Sequence, residues 1–402
     1  MVIRGFRLMK VLIINAGSSS LKYQLIEMDT EEIIAKGICE RIGLSGRIVH
    51  TGNNVTVEKD MPFPTHKEAF VAVVDFLTNG EGKVINSMKD ITAVGHRALH
   101  GGEIYSEPVI IDDKVIEDML DLSELGPLHN PPQAIAMRAC REVFGNTPMV
   151  AVFDTAFHQT MPPKAYIFPI PYEYYEKYHI RRYGFHGTSH KYISLRYHEI
   201  VKKQTDTKII SCHLGNGSSL AAIVNGKVID TTMGLTPLDG FIMGTRSGAI
   251  DPSVVTYIAN KENKTPDEMS QMLNMNSGFL GVSGISSDMR DIQAAIGQNN
   301  ERAMLTVDIL VYQLKKLIGG YITAMNGCDA VIFTGGIGEN VLPVRLAVMQ
   351  DMEALGIYVT SELNTALGKK EGEFSTPESK IKAMVIPTNE EIMIAKATLE
   401  LV

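Results

Sequence analysis

Three glycine- and serine-rich segments carry the residue types that bind phosphate oxygens. The segment 15–22 (NAGSSSLK) combines backbone amides, three hydroxyls and one ammonium in a tight turn, and a concave set of amides suits phosphate. Its lysine does not follow the spacing of a Walker motif. Residues 215–219 (GNGSS) repeat the pattern, and residues 335–340 (GGIGEN) form a third glycine-rich loop. One such turn is ordinarily a solvated hairpin, but three at strand ends favour nucleotide binding.

Arginines and histidines in loops of small residues indicate a site for anions. His186 precedes an expected helix whose N-cap is Thr188 or Ser189, and a helix N-terminus favours negative charge. Arg97 and Arg246 lie in glycine-bounded segments. A structural histidine or a surface ion pair is the ordinary explanation for each residue alone. Together, in an acidic chain, they favour a clamp for negatively charged oxygens.

Two carboxylates stand where a metal ion could be held. Asp154 ends an apolar strand, and Glu390 follows the segment 384–389 (MVIPTN). Surface solvation is the simpler explanation for each. The functional alternative is magnesium, which binds one or two carboxylates together with phosphate oxygens.

The elements that must position these residues alternate between short apolar runs and amphipathic segments. An alternation of this kind predicts an α/β protein in which ligands gather at the carboxyl ends of strands. Strands are predicted over 10–15, 21–26, 91–95, 149–153, 207–213, 220–230 (returning through a turn at Asn225-Gly226) and 330–333. Helices are predicted over 67–77, 189–201, 301–325 and 341–355.

The two hairpins suggest an internal duplication. Gly17 and Gly217 stand half the chain length apart, and each lies in a small-residue turn flanked by strands. A repeat at this distance predicts two related lobes that each open with a hairpin. Chance recurrence of Gly-Ser turns is the competing explanation.

Composition excludes several classes of protein. The chain has 402 residues, 45% of them hydrophobic and 21% charged, with a net charge of −8. The acidic balance argues against nucleic acid and anionic membranes as partners, and no apolar stretch reaches the length of a membrane span. The four cysteines are far apart, which indicates reduced thiols in the cytoplasm and neither a disulfide framework nor a zinc site. Residues 1–8 carry no secretory signal and form an expected upstream extension of a fold that starts at Met9.

Ten ordered motifs, from Met9 onward, make the chain resemble the acetokinase family of the acetate and sugar kinase, heat-shock chaperone and actin superfamily. Two departures are the extra residues 1–8 and Ala98-Leu99, where two valines are frequent. The motifs are NAGSSS (15–20), GHRALHGG (95–102), PLHNPP (127–132), VFDTAFHQT (152–160), RRYGFHGTSH (181–190), HLGNGSS (213–219), GTRSG (244–248), SSDMRD (286–291), GIGEN (336–340) and TNEE (388–391).

The resemblance implies Mg²⁺-dependent phosphoryl transfer from ATP to acetate, with Mn²⁺ as a substitute metal. The implied catalytic residues are Asp154, His186, Arg246 and Arg97, and the implied metal ligands are Asn15 and Glu390, with Glu391 as a weaker candidate than Glu390. Arg97 and His129 would bind acetate beside a methyl-facing pocket of Leu99, Leu128, Phe185 and Pro237. Nucleotide would be bound by Lys22, His213, Leu214, Gly215, Asn216, Gly217, Asp288, Met289, Arg290, Gly336, Ile337, Gly338, Glu339 and Asn340.

The chemistry agrees with this assignment. Acetate is an anion at neutral pH, so no base is needed to deprotonate it. Catalysis then reduces to alignment and to neutralising charge on the equatorial oxygens of the transferred group. A magnesium-ordering role for Asp154 is therefore preferred to a general-base role.

The implied architecture is two actin-like lobes related by duplication, with a nucleotide cleft between them. The first lobe would comprise residues 1–154 and 386–402, closing with a C-terminal helix near Glu390, and the second residues 155–385. The crossovers near Asp154 and Pro387 would form the hinge. The family is typically homodimeric.

Two other functions remain open at this stage. A kinase for propionate or butyrate would share every motif. An ATP-driven binding protein of the same superfamily would share the hairpins but has no need of Arg97, His186 and Arg246. A pyrophosphate-dependent kinase is disfavoured by the adenine-side motifs at 288–290 and 336–340.

Overall fold

The computed structural model describes residues 9–127 and 129–402, and in these ranges strands and helices alternate along the chain. The α/β prediction is confirmed. The expected extension over residues 1–8 lies outside the described residues, and so does Leu128. Among the described helices, none is both long and apolar enough to cross a membrane.

Fourteen strands are present in the described residues. They are β1 (Lys10–Ala16), β2 (Ser20–Glu27), β3 (Glu32–Glu40), β4 (Arg47–Gly52), β5 (Val55–Asp60), β6 (Ala93–Ala98), β7 (Val109–Ile110), β8 (Met149–Phe153), β9 (Lys208–Leu214), β10 (Ser218–Val224), β11 (Lys227–Thr231), β12 (Ala330–Thr334), β13 (Gly372–Glu373) and β14 (Lys382–Val385).

Fifteen α-helices connect them in the same part of the chain. They are α1 (His66–Thr78), α2 (Asp113–Asp121), α3 (Asn130–Phe144), α4 (Pro163–Tyr166), α5 (Glu173–Tyr178), α6 (Gly187–Val201), α7 (Pro252–Glu262), α8 (Pro266–Met275), α9 (Gly278–Ser283), α10 (Met289–Ile296), α11 (Glu301–Ala324), α12 (Gly335–Asn340), α13 (Leu342–Met349), α14 (Ser361–Leu367) and α15 (Glu390–Leu399). Short 3₁₀ turns occur at Met88–Asp90, Leu122–Glu124, Ala156–Thr160 and Glu353–Leu355.

The chain forms two compact units, each built on its own sheet. The first unit runs to Ala156 and resumes with Asn389–Val402, and the second is Phe157–Thr388. The first sheet has the order β5-β4-β3-β2-β1-β6-β8-β7, and the second has the order β11-β10-β9-β12-β14-β13. In each sheet an antiparallel hairpin lies beside two parallel strands and an antiparallel edge strand. The predicted duplication is therefore present in the strand order.

The first unit buries both faces of its central strands. Helices α1 and α3 pack on one face around a core that includes Leu12, Phe70 and Phe153. Helix α15 packs on β1, β6 and β8 from the other side. Gly95 permits this approach, since a Cβ there would lie 2.5 Å from Thr398 Oγ1. The C-terminal helix thus brings its N-terminal turn to the carboxyl end of β6.

The second unit likewise has apolar side chains on both faces of its sheet. The larger cluster includes Phe333 of β12 and Leu314 of α11. A smaller cluster joins Ile193 of α6 to Ile332 of β12. The helices packed on both faces of the sheet thereby hold the loops at the ends of its strands in place.

Three local predictions are wrong. Residues 335–340 form helix α12 and not a loop, because Gly335 has a positive φ of 78° and Glu339 Oε1 accepts its N–H at 2.7 Å. The helix expected over 341–355 ends at Met349, near Asp351, whose φ is 56°. The N-cap of α6 is His186, because the Ser189 hydroxyl bonds instead to His213 and Thr388.

Candidate active site

A two-bonded ion pair joins adjacent parallel strands of the first unit. Arg97 on β6 donates from Nε to Asp154 Oδ1 at 3.1 Å and from Nη2 to Oδ2 at 2.6 Å. The Asp154 side chain is fully buried, and the Arg97 side chain is 23% exposed. The Asp154 carboxylate raises the pKa of Arg97 above its ordinary value. This geometry fixes the plane of the guanidinium and turns its remaining nitrogen, Nη1, away from the pair.

Glu390 brings a second carboxyl group to this strand end. It lies in the first turn of α15, whose N-cap is Asn389. Burial raises the pKa of Glu390 to about 7, with further contributions from Asp154 and Glu391, while Arg97 opposes the shift. Its Oε1 atom is buried and has no hydrogen-bond partner in the described structure. The carboxylates at this strand end therefore carry more negative charge than Arg97 neutralises.

The carboxylates fit a hard divalent cation. Asp154, Glu390 and Glu391 together face one guanidinium, Arg97. The unpartnered Oε1 of Glu390 is an available oxygen ligand, and a cation would lower the cost of its ionisation. In the described residues, no three His, Cys, Asp or Glu side chains are close enough to form a complete protein cage. An incomplete set of protein oxygens of this kind, completed by water and phosphate oxygens, is typical of Mg²⁺ sites.

Asn15 lies in the same unit, at the end of β1 opposite Lys22 of β2. Asn15, Lys22 and Glu391 line a cavity of about 300 Å³ beside the hairpin. Lys22 thus belongs to the first unit and does not line the pocket that holds most of the other predicted nucleotide residues.

In the second unit, His186 and Arg246 converge on Gly217. A Cβ added at Gly217 would lie 3.2 Å from Arg246 Nη1 and 3.5 Å from His186 Nε2. Arg246 Nη1 also donates to the carbonyl of Pro237 at 3.2 Å. Burial lowers the pKa of Arg246. A guanidinium nitrogen and an imidazole nitrogen thus lie beside Gly217, where the missing side chain leaves room, and such a position suits negatively charged oxygens.

A larger pocket in the same unit gathers most of the predicted nucleotide residues. Its volume is about 750 Å³. Hydrogen bonds from Arg290 lower the pKa of Asp288, the N-cap of α10, to about 2. The predicted residues that line the pocket are Gly215, Asn216, Asp288, Met289, Arg290, Gly336, Ile337 and Asn340. His213, Leu214, Gly217, Gly338 and Glu339 are adjacent in sequence but do not line it.

Four lining residues were not predicted, namely Ser287, Gln293, Val341 and Lys369. Ser287 and Val341 directly adjoin predicted motifs and could have been included on that ground. Gln293 lies one helical turn after Met289 on α10, so helical spacing could have found it. Lys369 follows α14 and is distant in sequence from the other lining residues, so nothing in the pattern indicated it.

The predicted acetate-side residues are divided between the units. Leu99 is buried in the first unit, where its backbone N–H donates to Gln133 Oε1 at 2.9 Å. His129 is the N-cap of α3 in the same unit. Phe185 and Pro237 belong to the second unit, and Leu128 lies outside the described residues.

Comparison with known proteins agrees with the motifs. The model of the acetokinase family matches residues 10–396. The acetate kinase of Thermoanaerobacter pseudethanolicus is 52% identical, covering 98% of this chain and 99% of the relative. The Porphyromonas gingivalis acetate kinase structure is 43% identical with a TM-score of 0.94, covering 98% of this chain and 99% of that one. A propionate kinase structure from Francisella tularensis is 39% identical with a TM-score of 0.92, covering 98% and 100%. The chain belongs to the acetokinase family.

Proposed function

We propose that the chain transfers the γ-phosphoryl group of ATP to acetate, giving acetyl phosphate and ADP. The observation that carries the proposal is the Arg97–Asp154 pair beside the unpartnered Glu390 oxygen. A guanidinium held in this way can bind a small carboxylate, and the adjacent carboxylates can hold a metal that binds phosphate. The names of the acetate kinase relatives support the same substrate.

The reaction needs alignment more than proton transfer. Acetate is ionised at neutral pH and attacks the γ-phosphorus directly. Arg97 would orient the attacking carboxylate through Nη1 while Asp154 fixes its other nitrogens. His186 and Arg246 would donate to the equatorial oxygens of the transferred group, where negative charge is spread in the transition state.

Mg²⁺, with Mn²⁺ as a substitute, would be held by Asn15 and Glu390 with Asp154 ordering the site. The ion would neutralise charge on the β- and γ-phosphates. The role of Asp154 is thereby to position Arg97 and the metal together, not to accept a proton.

Nucleotide would occupy the 750 Å³ pocket of the second unit. Apolar side chains of Met289, Ile337 and Val341 offer a surface for a flat base, and Asp288 can accept a hydrogen bond from a sugar hydroxyl. Lys369 adds a positive charge at the same pocket.

We also propose that the protein is a cytoplasmic homodimer. All four cysteines lie in the described part of the chain and are free thiols, which supports a reducing compartment. The homodimer rests on the resemblance to the family.

Because one structural relative is a propionate kinase, the decisive test is how activity depends on the length of the carboxylate substrate. Purified protein with ATP and Mg²⁺ is given acetate, propionate or butyrate in turn, and acyl phosphate is trapped with hydroxylamine. We expect kcat/KM to be highest for acetate, because each added methylene costs about 1–3 kcal/mol in a fitted apolar pocket. A higher kcat/KM for propionate would reject acetate as the preferred substrate. If none of the three carboxylates gives acyl phosphate, the proposal that the protein is a carboxylate kinase is rejected.

A further inference from the structure

A chain of hydrogen bonds lies behind His186 in the second unit. His186 Nδ1 is 2.9 Å from the hydroxyl of Ser219, which is 2.8 Å from His190 Nε2. On its other side, His190 Nδ1 is 2.8 Å from the hydroxyl of Ser211. Ser211, Ser219 and His190 are fully buried. This series of hydrogen bonds therefore connects Ser211 of β9, His190 of α6 and Ser219 of β10 to the imidazole of His186, which lies near Arg246.

The hydroxyl of Ser219 couples the two imidazoles. It carries one hydrogen and contacts a ring nitrogen on each side, so it can donate to only one of the two nitrogens, while its lone pairs can accept from either. If His190 Nε2 has no hydrogen, Ser219 must donate to it, and His186 Nδ1 must then carry a hydrogen. Ser219 is free to donate to His186 only when His190 Nε2 carries a hydrogen. In one direction, His190 Nε2–H donates to Ser219 and Ser219 donates to His186 Nδ1. In the reverse direction, His186 Nδ1 carries a hydrogen and donates to Ser219.

His190 is the uncharged member of this series of hydrogen bonds. Burial lowers the pKa of His190 well below its ordinary value, and the neighbouring His158 and His213 lower it further. A neutral ring has one N–H, and both of its nitrogens contact hydroxyls that can adapt. His190 can thus donate through Nε2 while accepting from Ser211 at Nδ1.

The two directions differ in the charge that a hydrogen on Nε2 of His186 would require. His213 stacks on His186 with ring centroids 4.3 Å apart, and Arg246 Nη1 lies on the same side as His186 Nε2, next to Gly217. In the reverse direction, Nε2 would carry a hydrogen only if the ring were a cation, which would place a second positive charge near Arg246. In the first direction, Nε2 carries a hydrogen while the ring is neutral.

We propose that Ser219 and His190 are positioning residues that hold His186 as the neutral tautomer with its hydrogen on Nε2. The hydrogen-bond chain fixes the ring plane and directs Nε2–H toward the position beside Arg246 Nη1. Both nitrogens then donate to the same anionic group. The proposal rests on the proposed function, in which that group is the transferred phosphoryl group.

The first readout is independent of activity. Protein labelled with ¹⁵N-histidine is examined by long-range ¹H–¹⁵N NMR without substrates, and His186→Gln identifies the His186 signals among the eleven histidines. The expected result is a neutral ring with its hydrogen on Nε2. In Ser219→Ala this preference is lost. In His190→Gln it is retained, since the glutamine amide can donate from the position of Nε2. A wild-type ring with its hydrogen on Nδ1 overturns the proposal.

The second readout separates positioning from packing. Ser219→Ala should lower kcat about 10-fold or more, while KM for acetate and ATP changes less than about threefold, because the lost alignment acts in the transition state. Ser219→Thr keeps the hydroxyl and should recover most of kcat. The matched control is Ser194→Ala on α6, since Ser194 is equally buried but its hydroxyl has no partner in the described structure.

The outcomes distinguish this proposal from the proposed function. Unchanged kcat and an unchanged His186 tautomer in Ser219→Ala reject the positioning role even if the wild-type protein phosphorylates acetate. Equal losses in Ser219→Ala and Ser194→Ala, with no recovery in Ser219→Thr, reject it as well. If the wild-type protein fails to phosphorylate acetate, the proposed function fails, and the NMR result alone decides the tautomer.

Discussion

The two sheets share one strand order but carry different chemistry at corresponding strand ends. In the first unit, β6 and β8 bring Arg97 and Asp154 into a two-bonded ion pair. In the second unit, the corresponding strands β12 and β14 lead to Thr334 and Thr388. There the carboxylate of Glu339 accepts the backbone N–H groups of Gly335 at 2.7 Å and Thr388 at 3.2 Å. One carboxylate thus holds a charged side chain, and the other holds the backbone.

The hairpin turns differ in a related way. In the first unit, Gly17 N–H donates to the Ser20 carbonyl at 2.8 Å, and Ser18 and Ser19 stay exposed. In the second unit, the hydroxyl of Ser218 closes the turn by bonding to Gly215, and Ser219 is buried against His186. The same hairpin frame therefore supports solvent-facing hydroxyls in one copy and a preorganised hydrogen-bond network in the other.

The contrast indicates a division of labour within a duplicated frame. On the proposed function, the first unit would supply a charge-paired cluster for acetate and metal. The second would supply the nucleotide pocket and a cation, Arg246, which contacts a carbonyl and a methionine sulfur. Variants of the two units should therefore fail in different ways.

Arg97→Ala should have the largest effect. Loss of a donor aimed at developing charge lowers kcat by about 100- to 1,000-fold. Asp154 would also remain buried without its partner, which should lower the free energy of unfolding by about 3 kcal/mol. Steady-state kinetics and urea unfolding measure both quantities. Arg47→Ala is the control, because its pair with Glu58 is exposed and should contribute less than about 1 kcal/mol. Equal unfolding losses in both variants would contradict the account.

Arg246→Ala should separate activity from stability. Turnover should again fall by about 100-fold or more, because a donor near the transferred group is lost. The free energy of unfolding should change by less than about 1 kcal/mol, since no carboxylate partner of Arg246 is left buried and unpaired. The same two assays apply. If Arg246→Ala lowers the free energy of unfolding as much as Arg97→Ala does, both arginines stabilise the fold and the predicted difference between them is wrong.

Glu390→Gln tests the charge imbalance of the first unit through pH. The pKa of Glu390 is about 7 in the folded protein, above the value of about 4.3 for an unfolded chain. Its protonation therefore stabilises the fold fully below about pH 4.3, and this contribution is lost as pH rises through about 7. Without metal, the wild-type free energy of unfolding should fall by about 3–4 kcal/mol more than that of Glu390→Gln across this window.

Magnesium is the control for that experiment. Near neutral pH, Mg²⁺ should restore stability to the wild-type protein and much less to Glu390→Gln, because one anionic ligand is lost. If the free energy of unfolding depends on pH in the same way in the wild-type protein and in Glu390→Gln, the unbalanced charge does not lie on Glu390.

Gly336→Ala should weaken nucleotide binding without harming the fold. A Cβ at Gly336 meets no atom within 4 Å, and Gly336 lines the pocket, so the added methyl would project into space reserved for ligand. Overpacking of this kind costs about 1–3 kcal/mol, which corresponds to about a tenfold or greater rise in Kd for ATP. Gly320→Ala on α11 also meets no atom within 4 Å but lies outside the pocket, and its Kd should equal that of the wild type.

Leu99→Ala should have the smallest effect. Removing this buried side chain should allow a longer carboxylate and narrow the preference for acetate over propionate by about tenfold, the value of one methylene. The ratio of kcat/KM values measures it, and an unchanged KM for ATP is the internal control. An unaltered ratio would remove Leu99 from the substrate pocket.

Local patterns in the sequence predicted the frame well. Both hairpins, the strand before Asp154 and helices α1, α6 and α11 follow from short apolar runs, turn residues and helical periodicity. The two Gly-Ser turns predicted a duplication, and the strand order of the two sheets agrees with it. These features depend on neighbouring residues, which a pattern can reveal.

Features that depend on distant residues could not be obtained in this way. The N-cap of α6 depends on the Ser189 hydroxyl, which bonds to Thr388 far along the chain. Helix α12 depends on Glu339 closing back on Gly335 after a left-handed turn. The Arg97–Asp154 pair and the Ser219–His190 chain join separate elements, so only the packed fold shows which hydrogen bonds each residue makes.

The division of labour is tested most directly by the Kd for ATP of Arg97→Ala and Gly336→Ala, measured side by side by titration calorimetry. We expect a Kd within about twofold of wild type in Arg97→Ala, despite its loss of turnover, and about tenfold weaker binding in Gly336→Ala. Arg97→Ala weakening ATP as much as Gly336→Ala, or Gly336→Ala binding ATP normally, would contradict it.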